Sequence, residues 1–163
     1  MSSMKKMNLS PVLKDAHRVT IMGIGSEMRG DDAAGIEVVR RLRERLSSPK
    51  VQLIDAGVVP ENFTNRIKRF KPSHVVLIDA TDLGLKPGST RIFGPEIISE
   101  WPVSTHRLPL SLFAEYVHKQ MGAKVVLIGI QPASVAVGAA MSKQAKIAIG
   151  GVVMELYSKL RSL

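Results

Sequence analysis

The sequence predicts an α/β domain: one three-layer α/β/α unit with a mostly parallel central sheet of about five strands. Three observations lead there. Short apolar runs suited to strands alternate along the chain with longer segments of helical periodicity. Several of these runs, such as HVVLIDA, are apolar on both faces, as strands are in a parallel sheet covered by helices. The chain has 163 residues, enough for one domain with a real core, and shows no internal repeat, linker or low-complexity segment.

The elements follow in order. RVTIMGI, Arg18 to Ile24, is a buried strand. Asp32 to about Leu46 is a helix: Ile36, Val39, Leu42 and Leu46 fall on one face, and Arg40, Arg41, Arg43 and Glu44 on the other. VQLID, from Val51, is a second strand. Pro60 then opens a helix, PENFTNRIKRF, as proline at a first helical position often does. HVVLIDA, His74 to Ala80, is a third strand, followed by the loop TDLGLKPG and a short strand from Thr90 to Phe93. A helix runs from about Pro109 to Gln120, a fifth strand from Lys124 to Ile130, and a last helix from Ser142 to Leu160, with Gly150 and Gly151 as weak points inside it. Residues 1–17 carry lysines but no continuous apolar stretch. They read as a loose or peripheral arm rather than a secretory signal, leaving 18–163 as the domain and a cytoplasmic location as the expectation.

Composition removes several chemistries. The chain has no cysteine, which excludes disulfides, thiolate metal sites and thiol nucleophiles; any metal must use oxygen and nitrogen ligands. No apolar run is long enough to span a membrane. The formal charge is +9, but the lysines and arginines are scattered without aromatic interleaving. That pattern favours a solvated basic surface, or one that attracts an acidic protein partner, over a nucleic-acid interface.

Sites in such sheets lie beyond the carboxyl ends of the strands. Three strands end in carboxylates there: the first delivers Asp31 and Asp32, the second ends at Asp55, and the third at Asp79. Clustered carboxylates repel unless a cation or proton lies between them. The first loop, GIGSEMRGDDAAG, resembles a phosphate cradle, but its spacing is wrong. After Gly23 and Gly25 a dinucleotide fingerprint needs glycine at position 28, which is Met28, and no Gly-Lys-Ser/Thr follows. Two aspartates at a helix start would repel phosphate and suit a cation. Asp31 reads as an ordinary helix N-cap. Asp32 falls in the first turn, where the helix dipole also favours a carboxylate, and Asp79 closing a strand could simply start a turn. His106, at a helix entry, is the natural nitrogen partner; with two carboxylates it would make an open three-ligand site for a divalent metal such as nickel, zinc or iron. His17, His74 and His118 read as structural or surface residues, and Ser26, Ser104 and Ser111 lack a nucleophile-elbow setting.

With these residues in view, the chain from Val19 onward resembles the [NiFe]-hydrogenase maturation endopeptidases, of the type serving hydrogenase 3. The markers are GIGSEMRGDDAAG, IDAGVVPEN, VVLIDATDLGLKPG, STHRLPL and VLIGIQP, and their order and spacing together are specific. The resemblance implies a peptidase that removes the C-terminal extension of a hydrogenase large-subunit precursor once nickel has been inserted, with the substrate-borne nickel, bound transiently, as recognition signal. It implies that Asp32, Asp79 and His106 contact that metal, and that Asp32 and Asp79 serve catalysis. The expected partner is that precursor, with no nucleic acid or membrane, for an enzyme acting as a monomer. Ser26 departs from the asparagine common in the family, although serine can make a local turn bond in its place. Whether nickel polarises the scissile bond or only docks the substrate, with a carboxylate as general base, stays open. A non-catalytic metal-binding chaperone on the same fold, or a basic nucleotide- or nucleic-acid-binding domain, is the alternative.

Overall fold

The computed structural model describes residues 6–103 and 108–163. The described residues form one sheet from β1 (Val19–Ile24), β2 (Val51–Gly57), β3 (His74–Ala80), β4 (Thr90–Phe93) and β5 (Lys124–Ile130), in the order β2-β1-β3-β5-β4. β1 pairs in parallel with β2 and β3, and β3 with β5, whereas β4 runs antiparallel on the β5 edge. The helices are α1 (Ala34–Arg45), α2 (Thr64–Phe70), α3 (Leu110–Met121) and α4 (Lys143–Leu160).

Period-two alternation in the three inner strands divides the core between the two faces. Val19 and Ile21 of β1, Val76 and Ile78 of β3, and Val126, Ile128 and Ile130 of β5 pack with Val39 and Leu42 of α1 and Ile149, Val152 and Leu156 of α4. The intervening residues Met22, Ile24, Val75, Leu77, Val125 and Leu127 pack with Ile67 of α2, Phe113 and Val117 of α3, and Trp101. Both faces are therefore dry, which accounts for the unbroken apolar runs.

Two helix starts differ from expectation. The segment expected to start α1 is instead a 3-10 turn, Gly30–Ala33, and α1 proper begins at Ala34. The Asp31 amide is drawn out of the helical ladder to the Ser134 carbonyl, 2.9 Å away. Pro60 likewise opens a 3-10 turn, Pro60–Phe63, before α2, because Phe63 at φ −107° and ψ 6° breaks the helical path. The expected weak points Gly150 and Gly151 do not interrupt α4, which runs unbroken from Lys143 to Leu160. In the segment expected to be a loose or peripheral arm, Leu9 is fully buried against α4, and its amide donates to Glu155 Oε1 at 3.0 Å. No helix among the described residues is long and apolar enough to cross a membrane.

The start of α1 touches the sheet itself. A Cβ on Gly35 would lie 2.2 Å from the Ile78 carbonyl oxygen, and one on Gly23 would lie 2.3 Å from the Gly35 carbonyl oxygen. Backbone thus lies on backbone where α1 crosses the ends of β1 and β3. By contrast, a Cβ on Gly151 would meet nothing within 4 Å. Gly35→Ala should therefore destabilise the fold by about 1–3 kcal/mol or more through overpacking. Gly151→Ala should stabilise it by about 1 kcal/mol through helix propensity. Denaturant unfolding of the two variants against the parent checks both signs.

Candidate active site

The loop from β1 to α1 turns sharply at the carboxyl edge. Gly25 sits at φ +140°, its amide bound to the Gly57 carbonyl at 2.8 Å, and a Cβ there would be 1.8 Å from the Asp32 carbonyl oxygen. Only glycine permits this approach. The turn brings Asp31 and Asp32 back over the strand end, where both are buried.

The two aspartates are used differently. Asp31 does not cap its own helix; neither the 3-10 turn nor α1 has a side-chain cap. Its carboxylate instead reaches the far side of the edge, accepting from the Ala133 amide at 2.8 Å, the Ser142 amide at 2.7 Å and the Ser142 hydroxyl at 2.7 Å. The N-cap expectation for Asp31 fails because these donors, a hundred residues away in sequence, outcompete the local amides. Burial by itself would raise the Asp31 pKa, but the Ser142 and Ala133 amides and the Ser142 hydroxyl hold it below the usual carboxylate range. Ser142 in turn caps α4, its hydroxyl accepting from the Ala145 amide at 3.1 Å.

Asp32 is anchored through one oxygen only. Oδ2 accepts from the Ser26 amide at 2.9 Å, and Oδ1 accepts no hydrogen bond from the described residues. Ser26 makes the local turn bond expected of it, its hydroxyl accepting from the Met28 amide at 3.3 Å. Asp79 lies at the end of β3, the strand beside β1, and is 2% exposed. Thr81 Oγ1 lies 3.3 Å from its Oδ2. The loop that follows is shaped by Gln131, at the end of β5: its Oε1 accepts from the amides of Leu83 at 2.5 Å and Leu85 at 3.3 Å.

The fold therefore brings Asp32 and Asp79 to adjacent strand ends on one edge. His106, the third expected site residue, lies outside the described residues, as does Ser104. Asp55 lies two residues before the end of β2, the edge strand, where Oδ1 accepts from the Gly57 amide at 3.3 Å and Oδ2 lies 3.7 Å from Arg40, which also pairs with Glu27. Two of the other histidines are structural. His118 Nδ1 bonds the Ala123 carbonyl at 2.9 Å, and His74 is buried at the opposite, amino edge with Nδ1 2.9 Å from Ser73 Oγ. His17 is exposed.

Sequence reasoning did not identify Ala133 and Ser142 as partners of Asp31, nor Gln131 as the organiser of the β3–β4 loop. Ser142 was visible as a helix start, but its link across the edge has no local signal.

This arrangement has known counterparts. A family model for hydrogenase maturation proteases matches residues 36–159. A Methanocaldococcus jannaschii protein assigned to the hydrogenase maturation proteases is 39% identical over 136 residues, 79% of this chain and 80% of that one. The hydrogenase 3 maturation protease of Escherichia coli K12 is 33% identical over 139 residues, 83% of this chain and 86% of the other. The crystal structure of a [NiFe] hydrogenase maturation protease from Thermococcus kodakarensis superposes with a TM-score of 0.87 at 35% identity, covering 94% of this chain and 98% of that one. A α/β peptidase is the class these similarities define. The chain belongs to the hydrogenase maturation protease family.

Two predictions follow from the geometry. Asp31→Asn places an amide against three donors and should cost about 3 kcal/mol of stability, given the strength of hydrogen bonds to charged groups; chemical denaturation measures it. His74 is held below the ordinary histidine range by burial first, and by Lys124 and His17 after it. As pH falls through about 6.5 the unfolded chain takes up a proton that folded His74 refuses, so its contribution to stability is lost on the acid side. Melting temperatures between pH 7.5 and 5 should fall less steeply in His74→Gln than in the parent.

Proposed function

We propose that this peptidase removes the C-terminal extension of a [NiFe]-hydrogenase large-subunit precursor, and that the nickel carried by the precursor is its recognition signal. The supporting observation is the contrast between the paired aspartates. Asp31 is saturated by three hydrogen bonds and has structural work, whereas Asp32 is anchored through Oδ2 and keeps Oδ1 without a bond from the described residues. Asp32 lies at the edge where the neighbouring strand presents Asp79. Two buried carboxylates at neighbouring strand ends suit a divalent cation and resist an anionic ligand.

In this reading Asp32, Asp79 and His106 take up open coordination positions on the substrate's nickel, and so seat the scissile peptide bond beside the carboxylates. A carboxylate so placed also serves as general base toward the attacking water. The anchored Oδ2 of Asp32 fixes the orientation of its partner oxygen, which limits the reorganisation needed when substrate arrives. The absence of cysteine keeps the site to oxygen and nitrogen donors, so nickel stays with the substrate's own ligands. The enzyme acts in the cytoplasm as a monomer.

Mass spectrometry of nickel-loaded and nickel-free precursor after incubation with the protein is the test. Only the loaded form should lose its extension. Asp32→Asn, Asp79→Asn and His106→Ala should each slow cleavage by about a hundredfold or more while melting within a few degrees of the parent. Equal cutting of nickel-free precursor would sink nickel recognition. Loss of folding in all three variants would make these residues structural.

A further inference from the structure

The loop carrying Asp32 is joined to a second loop, 131–142, between β5 and α4. The Asp31 amide bonds the Ser134 carbonyl at 2.9 Å, the Gly138 amide bonds the Met28 carbonyl at 2.8 Å, and Arg29 Nε donates to the Val135 carbonyl at 3.2 Å. With the Asp31 carboxylate on Ala133 and Ser142, the two loops form one fixed surface. Gly30 allows the contact: at φ +56°, a Cβ there would stand 2.6 Å from the Ser134 carbonyl oxygen.

This surface presents side chains that the fold does not use. Met28 is 72% exposed and Val137 is 77% exposed. The Gly138 amide bond to the Met28 carbonyl holds the backbone of Met28 beside the residue that follows Val137. Arg29 follows Met28, its side chain forms no ion pair among the described residues, and that side chain's only hydrogen bond there is the one from Nε to the Val135 carbonyl. Its terminal nitrogens are thus available for a carboxylate, which an arginine fork binds in two-point geometry. An apolar pair beside an unspent guanidinium, on a chain of formal charge +9, is complementary to a peptide carrying an apolar side chain next to an acidic one.

We propose that Met28, Val137 and Arg29 form a docking site on the rim of the active-site edge for a segment of the precursor in which an apolar residue adjoins a carboxylate. The proposal rests on the precursor being the substrate. The seat is contiguous with Asp32: Met28 is four residues before it, and the Asp32 amide bonds the Arg29 carbonyl at 3.0 Å. Since the loops are already bonded together, binding need not pay to order them. The unbranched methionine can adapt to the shape of the side chain it meets. Asp31 is a positioning residue for this surface, acting through Ala133 and Ser142.

The test measures binding and cleavage separately, with nickel-loaded precursor and the full-length protein. Val137→Asp and Met28→Ser should each weaken precursor binding about tenfold, equivalent to about 1.4 kcal/mol. They should raise KM by a similar factor and leave kcat within about twofold. Arg29→Glu should weaken binding at low salt, with the deficit shrinking as salt rises, and Arg29→Lys should restore part of it. Melting temperatures should match the parent for Val137→Asp and Met28→Ser, whose side chains are in solvent. Unchanged binding in these two variants overturns the proposal whatever the cleavage result, and so does a fall in kcat at constant KM. Precursor that binds through this seat but is never cut would overturn the cleavage reading and leave the docking site standing. A parent protein that neither binds nor cuts the precursor would overturn both.

Discussion

The close approach of α1 to the sheet is the constraint on which the rest depends. The helix starts with backbone lying on the ends of β1 and β3, through Gly23 and Gly35, and the turn into it passes within side-chain distance of its own Asp32 at Gly25. A residue with a Cβ at either contact would lift the helix start from the strand ends. That would separate Asp32 from the strand that carries Asp79. The glycines that suggest a phosphate cradle in the sequence thus serve a different end. They let the loop that carries Asp32 fold back onto the strand ends.

Once the helix start is fixed, one carboxylate can be spent on holding the edge together. Asp31 joins two loops, after β1 and after β5, into a single surface, using donors at Ala133 and Ser142. The cost of burying its charge is offset by three short hydrogen bonds, which hold its pKa below the usual carboxylate range. Ser142 serves twice, donating to Asp31 while capping α4. The start of α4 is therefore tied to the start of α1, and these two helices cover the same face of the sheet. Gln131 does comparable work one loop away, where its amide oxygen gathers the chain after Asp79.

This division of labour explains how two adjacent aspartates coexist at a buried edge. Like charges one residue apart would be costly if both faced the same crevice. Asp31 turns toward the β5–α4 loop and Asp32 toward the Ser26 amide, so each carboxylate has its own donors. The carboxylates left to the proposed site are Asp32 and Asp79, on neighbouring strand ends.

Much of this was legible in the sequence, because the signals are local. Alternating apolar runs on the inner strands encode two dry faces, so strand existence, the α/β class and the carboxyl edge as the place to look all follow from periodicity. Every strand was found near its observed limits, and the position of Asp32 and Asp79 at strand ends needed no coordinates. What the sequence could not determine involves contacts between residues far apart in the chain. Asp31 looks like an N-cap because an aspartate just ahead of a helical stretch is the local pattern of one, yet its carboxylate caps neither the 3-10 turn nor α1. Only the folded sheet brings Ala133 and Ser142 within reach, and a charged acceptor takes the donors that tertiary structure supplies. The same holds for Leu9, whose burial against α4 depends on the arm crossing to the opposite end of the chain, and for β4, whose antiparallel direction is set by the path of its connections rather than by its own four residues.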